Sequence, residues 1–203
     1  MNRITNKSVN VLLVTSCSFT ELAVKTLLDS LQASLSKPLN IAPNEYYERN
    51  NITLDFIICA GDLFNEMSLH SIAKIKAALK HSHFSTKMVF ITSRQRFSLS
   101  YFISILCRKE CYCIAIDQSV EKMILTLEPV FTQSDVFNPP PRNAHLTTRE
   151  KEIIIGLIKQ VKPIYLSKRY AVDQKTISAH KMNALRKLNV ERLSEIISLN
   201  VLT

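Results

Sequence analysis

Apolar positions along this chain follow two rhythms. Val9-Asn10-Val11-Leu12-Leu13-Val14-Thr15, Asp55-Phe56-Ile57-Ile58-Cys59-Ala60, Lys87-Met88-Val89-Phe90-Ile91-Thr92 and the run from Tyr112 to Ile116 are short and nearly continuously apolar. That pattern predicts strands buried on both faces. Between them the apolar residues recur at helical spacing: Leu22, Val24, Leu27, Leu28, Leu31 and Leu35, then Leu69, Ile72, Ile75, Ala78 and Leu79. The first of these helices has Ser18 or Thr20 as its expected cap and ends before Lys37-Pro38. Leu99 to Cys107 and Val120 to Leu127 read as two more helices, and residues 36–54 as holding one poor strand around Tyr46-Tyr47. Strands alternating with helices imply a parallel sheet covered on both faces. Five strands and about five helices predict an α/β flavodoxin-like, doubly wound domain over residues 1–131.

The rhythm changes after Asn138-Pro139-Pro140-Pro141, inside an expected linker over residues 132–145. Three prolines in a row favour an extended, semi-rigid spacer. Beyond it every periodic segment is helical. Thr147 with Glu150 three residues on predicts a capping box, followed by the stripe Ile153, Ile154, Leu157 and Ile158. Lys162-Pro163 breaks that helix. Ile164 to Tyr170 forms a second, and Asp173 or its neighbour caps a third, Gln174 to Leu188. Ser194 to Leu202, with Ile196, Ile197 and Leu199, reads as a fourth. Residues 146–203 are thus expected to form an all-α four-helix domain of helix-turn-helix type.

Charge sharpens this division. The net charge is +9, and residues 139–203 hold 12 Lys and Arg against 5 Asp and Glu, whereas residues 1–138 hold 14 against 12. A compact basic module is the electrostatic footprint of a polyanion binder. Periodicity alone leaves a small helical oligomerisation module equally open. The two glycines, Gly61 and Gly156, are too few and too far apart for a phosphate-cradling loop. The strand ends offer neither a nucleophile–base pair nor paired carboxylates, so no enzyme, small-molecule substrate or cofactor is expected. No apolar run reaches ~18 residues, and the N-terminus lacks a cleavable apolar leader. A cytoplasmic protein with no membrane partner is the expectation. Cys17, Cys59, Cys107, Cys111 and Cys113 read as reduced, mostly buried thiols without metal-ligand spacing.

Two blocks of residues carry a resemblance. The first domain resembles a response-regulator receiver, in which the phosphoacceptor Asp ends the third strand, a Ser or Thr ends the fourth and a Lys ends the fifth. Here those positions are Ala60, Thr92 and Asp117, and Thr15-Ser16-Cys17 replaces the acidic pair after the first strand. Such a receiver lacks the clustered oxygen ligands a magnesium ion needs, and Asp62, two residues late, does not restore them. The resemblance therefore implies a degenerate pseudo-receiver. In the second domain, Leu146-Thr147 with Arg149-Glu150 and Glu152-Ile153, then Lys175-Thr176-Ile177 with His180-Lys181, then Leu185-Arg186-Lys187-Leu188 with Val190, resemble the DNA-binding domain of the LuxR/FixJ (NarL) type. The Lys175-Thr176-Ile177-Ser178 block and the lost phosphoacceptor are similar to auxiliary regulators that partner the Rcs capsule-synthesis response regulator of enteric bacteria.

The resemblance implies a transcription regulator, in the activating sense, that acts on double-stranded DNA independently of phosphorylation. Lys175, Thr176 and Lys181 would contact phosphates, Ser178, Ala179 and Met182 would face bases, Arg186 would add charge, and His180 would pack. Ala179 and Met182 offer only apolar contact, which implies a homodimer, or a heterodimer with a related LuxR-type regulator that supplies discrimination. The alternative is a co-regulator that modulates a partner regulator with little DNA contact of its own. The chain departs from the pattern where a Gly is usual in the turn after the first helix, now Gln160, and where a Lys-Glu pair opens the second, now Ile164-Tyr165.

Overall fold

A computed structural model describes residues 8–61, 69–132 and 145–202. Five parallel strands, β1 (Val9–Val14), β2 (Leu39–Ile41), β3 (Leu54–Ala60), β4 (Ser82–Thr92) and β5 (Glu110–Ala115), form one sheet in the order β2-β1-β3-β4-β5. This is the flavodoxin-like order, with its topological switch at β1 and β3. Helices α1 (Ser18–Gln32) and α5 (Val120–Phe131) cover one face, where Leu28, Leu31 and Leu127 pack on Val11, Ile58 and Val89. Helices α2 (Asn44–Asn50), α3 (Leu69–Lys80) and α4 (Phe97–Cys107) cover the other, over Leu12, Ile57, Met88 and Phe90.

Three expectations are corrected by this architecture. Tyr46 and Tyr47 lie in α2, and the second strand is Leu39–Ile41 instead. A helix there lets the fully buried Tyr47 hydroxyl donate to Val11 O (2.9 Å) and Asn40 O (2.6 Å) and accept from Ala42 N (3.1 Å), locking the β1–β2 edge. Burial pushes that hydroxyl up to about 12. Neither Ser18 nor Thr20 caps α1; Cys17 stands at the cap position and makes no side-chain cap bond. Ser194–Leu202 is not an α-helix but two 3-10 segments, Leu193–Glu195 and Ile197–Leu202. Ile196, Leu199 and Leu202 are three apart and all buried, which is the 3-10 period. Of the cysteines, Cys59 and Cys107 are buried, Cys111 and Cys113 half-buried and Cys17 exposed.

The triple proline of the expected linker, like Asp62, lies outside the described residues. The C-terminal helices are α6 (Thr148–Ile158), α7 (Pro163–Tyr170) and α8 (Gln174–Leu188). Gly156 lets α6 and α7 close up: a Cβ there would stand 2.9 Å from Leu166 Cδ2, and Leu166 is buried. The two halves of the chain share one apolar core. Leu185, Leu188, Val190, Leu199 and Leu202 belong to the same buried cluster as Leu99, Phe102 and Ile103 of α4 and Ile72 and Ile75 of α3. Asn189 fastens the seam, its Nδ2 donating to Gln95 O (3.3 Å) while its own carbonyl accepts from Arg96 Nη1 (3.4 Å).

Among the described residues no helix is long and apolar enough to cross a membrane.

Candidate nucleic-acid interface

Helix α8 is built from both ends. At its start the Asp173 side chain accepts from Thr176 N at 2.6 Å, a cap that holds Asp173 below its ordinary carboxylate value through that backbone bond. At its end Asn189 turns left-handed (φ 55°), where a short polar side chain is tolerated. One side of the helix is fixed by Ile177, Ala184, Leu185 and Leu188, all buried. The opposite side is open, and Lys175, Ala179, Met182 and Arg186 lie along it, exposed. Ser178 is exposed on one flank, and Thr176 is half-buried on the other.

Lys181 does not share that open side. It occupies the same four-residue row as Ile177 and Leu185, both buried, and is itself half-buried. His180 is half-buried too. Sequence reasoning missed Asn183, which is exposed beside Arg186, its Oδ1 3.5 Å from Arg186 Nη2. An amide is the side chain suited to a paired hydrogen bond with adenine. The signal was available: Asn183 is four residues from Ala179, on the polar side of the same pattern.

Glu150 ties α6 to α8. Its carboxylate accepts from Thr147 N (2.8 Å), Thr147 Oγ1 accepts from Glu150 N (3.2 Å), and Lys187 Nζ reaches Glu150 Oε2 at 2.7 Å. The predicted capping box is therefore present, and Glu150 is buried within it. Burial by itself would raise this carboxyl, but the Lys187 bond and the Thr147 backbone donor outweigh it and leave the group below its ordinary value. A depressed folded value stabilises the protein above the unfolded value of about 4.3 and loses that contribution as pH falls through the folded value. Glu150→Gln is expected to flatten the acid limb of a stability–pH curve read by denaturant unfolding.

The turn between α6 and α7 explains the departure at Gln160. That residue sits at φ 61°, the left-handed region in which a Gly pays no steric cost. Pro163 then starts α7 at its first position, where its missing donor is harmless. Ile164 and Tyr165 stand exposed at the helix start, and Arg149 lies 4.2 Å above the Tyr170 ring, joining α6 to α7.

The receiver-like corner lies apart from this surface. Ala60 is fully buried at the end of β3, with no oxygen to accept a phosphoryl group. Thr92 is buried at the end of β4, and its Oγ1 has no hydrogen-bond partner among the described residues. Asp117 follows β5 and faces Arg94 Nε at 3.8 Å, both side chains largely exposed.

Residues 144–200 match the family of bacterial regulatory proteins, luxR family. No curated protein matches the chain. Among solved structures, the two-component response regulator RcsB in complex with DNA is 16% identical, with a TM-score of 0.48 over 97% of this chain and 98% of that one. Two RcsB dimers bound to two parallel DNAs match at 17% identity and a TM-score of 0.47, again over 97% and 98%. Full-length FixJ from B. japonicum is 12% identical over the same shares, with a TM-score of 0.37. Residues 144–200 thus match a luxR-family regulatory domain, and they follow a five-stranded parallel α/β domain.

Proposed function

We propose that the chain activates transcription from double-stranded DNA without phosphorylation of its receiver-like domain, and that it works on DNA as a dimer, in preference a heterodimer with a related LuxR-type regulator. The observation that carries this reading is the position of α8. Its inner side and C-terminal end are buried against the rest of the chain, yet Lys175, Ala179, Met182 and Arg186 face solvent. A recognition helix held in that way needs no release step. Lys175, Thr176 and Arg186 are assigned to phosphates, and Ser178, Ala179 and Met182 to base edges, with Asn183 added. Lys181, on the inner row, is assigned at most a marginal phosphate contact. In this reading residues 1–131 form the pseudo-receiver, 132–145 the linker and 146–203 the DNA-binding domain. A partner is favoured because Ala179 and Met182 give no hydrogen-bond readout, which leaves that readout to Ser178 and Asn183, and because two modules on adjacent half-sites gain through effective concentration.

The α4 side of the receiver-like domain is taken by its own helix-turn-helix domain, whereas Val120 and Leu125 of α5 remain exposed and free to meet a partner. Footprinting with the purified chain at physiological salt tests the proposal. Weak protection that becomes strong when a related regulator is added supports it; strong symmetric protection of a palindrome by the chain alone removes the need for a partner. Acetyl phosphate is expected to change neither intact mass nor oligomeric state, since Ala60 and Asp117 replace the acceptor and its lysine. A covalent phosphate found by mass spectrometry overturns the phosphorylation-independent reading.

A further inference from the structure

Four of the five cysteines gather under α4. Cys107 ends that helix, Cys59 lies on β3, and Cys111 and Cys113 lie on β5, all within or against one apolar cluster. The DNA-binding reading uses none of them. Cys111 and Cys113 do not have the spacing of a zinc site, but two residues apart on a strand their side chains leave the same face. That face is the one α4 covers, since Cys111 is in register with Met88 and Cys113 with Phe90, both buried in the cluster. β5 ends the sheet, and both cysteines are only half-buried, so the pair lies at an edge of the core.

The two sulfurs are in contact, Sγ to Sγ 3.7 Å. The Cys111 thiol is held below its ordinary value, first by its bond with Cys113, against its burial, and further by the Ser104 hydroxyl of α4. A direct disulfide suits this pair poorly. At a rise of about 3.3 Å per residue the two Cα atoms stand about 6.6 Å apart, near the outer limit of a disulfide, and closing the bond would strain the strand. A metal bridge needs less movement. With metal–thiolate bonds of about 2.3 Å a linear bridge spans about 4.6 Å, so the sulfurs part by about 0.9 Å.

The donor set selects the ion. Among the described residues no group of three or more His, Cys, Asp and Glu side chains is placed to hold a metal. Structural zinc takes four ligands, and calcium and magnesium take oxygens. Thiolates alone are soft ligands that suit Cu(I), an ion that two of them satisfy.

We propose that Cys111 and Cys113 bind one Cu(I) ion between their sulfurs. The two thiols release two protons as the ion enters, no electron is transferred, and the site keeps a single net negative charge. Phe102 and Ile103 of α4 and Leu185 and Leu188 of α8 share the cluster on which the pair packs, so the ion borders the apolar layer that joins the two halves of the chain.

The test titrates the reduced full chain, without oxygen and without DNA, with Cu(I) in competition with the chelator bicinchoninate. One Cu(I) per chain is expected to pass from chelator to protein, and X-ray absorption is expected to show two sulfur neighbours. Cys111→Ser and Cys113→Ser are each expected to lower the affinity by about a hundredfold or more, since even an outer-shell partner of a metal ligand is worth about ten- to a hundredfold. Cys17→Ser, at an exposed position, leaves it unchanged. In the parent chain Cu(I) is also expected to protect Cys111 and Cys113, and not Cys17, from alkylation by iodoacetamide, a readout that needs no variant to fold. No Cu(I) withdrawn from the chelator overturns the proposal, as does a multinuclear cluster or a third sulfur neighbour. Undiminished uptake by the double serine variant, or alkylation of the pair unaffected by Cu(I), overturns the placement. Equal retention of Zn(II) overturns the choice of ion. Because no DNA is present, these outcomes are independent of the proposed regulatory function.

Discussion

Lys175→Ala and Arg186→Ala together are expected to lower DNA affinity about thirtyfold at physiological salt and to reduce the slope of log affinity against log salt by about two units. Each phosphate neutralised contributes a slope near 0.9, so each one lost costs about fivefold at 0.15 M salt. Both residues are exposed on the open side of α8, and neither supports the fold, so unfolding midpoints should not change. Lys181→Ala is the internal control: a half-buried residue between Ile177 and Leu185 should alter the slope much less. Asn183→Ala should leave the slope alone and relax discrimination at one base pair by about 1–3 kcal/mol, on the scale of a lost bidentate contact. Electrophoretic shifts over a salt series, on two DNA sequences, read all three effects. A full-size slope loss in Lys181→Ala with none in Lys175→Ala would invert the proposed face.

The parts of this structure that followed from the sequence are those governed by strong local periodicity. Val9–Val14, Leu54–Ala60 and the Thr92 end of β4 are nearly continuous apolar runs, the pattern of strands buried on both faces. The Thr147–Glu150 box and the Asp173 cap were readable because a cap is a contact within four residues. What escaped was set by distant partners or by weak periods. Tyr46-Tyr47 has β propensity, but the buried hydroxyl of Tyr47 is satisfied only when a helix aims it at the β1–β2 edge. Ile196, Leu199 and Leu202 fit a period of three better than 3.6, a difference that nine residues barely resolve. The half-burial of Lys181 escaped for the same kind of reason: its charge suggests an open position, whereas its row on the helix is shared with the buried Ile177 and Leu185.

The clearest unread signal was α4. Its sequence, Phe97-Ser98-Leu99-Ser100-Tyr101-Phe102-Ile103-Ser104-Ile105-Leu106-Cys107, has no charged residue, and a helix without a polar face is covered on more than one side. The sheet covers one side; α8 and the Ile197–Leu202 segment cover another, and Ser98, Ser100 and Ser104 are buried with Leu99, Phe102, Ile103 and Cys107. The consequence is energetic coupling between the halves of the chain. Truncating a large aromatic core residue costs about 3–5 kcal/mol, a large share of a typical folding free energy. Phe102→Ala is therefore expected to destabilise the receiver-like domain by that amount and, through the shared cluster, to lower amide protection in the last turns of α8 and in Ile197–Leu202. Hydrogen exchange read by mass spectrometry checks it: the parent should lose protection in both halves in one cooperative step, and the variant should expose the C-terminal segments first. A variant whose α8 amides keep parental protection while α4 loses its own would show that the two halves fold independently and that docking does not hold α8 in place.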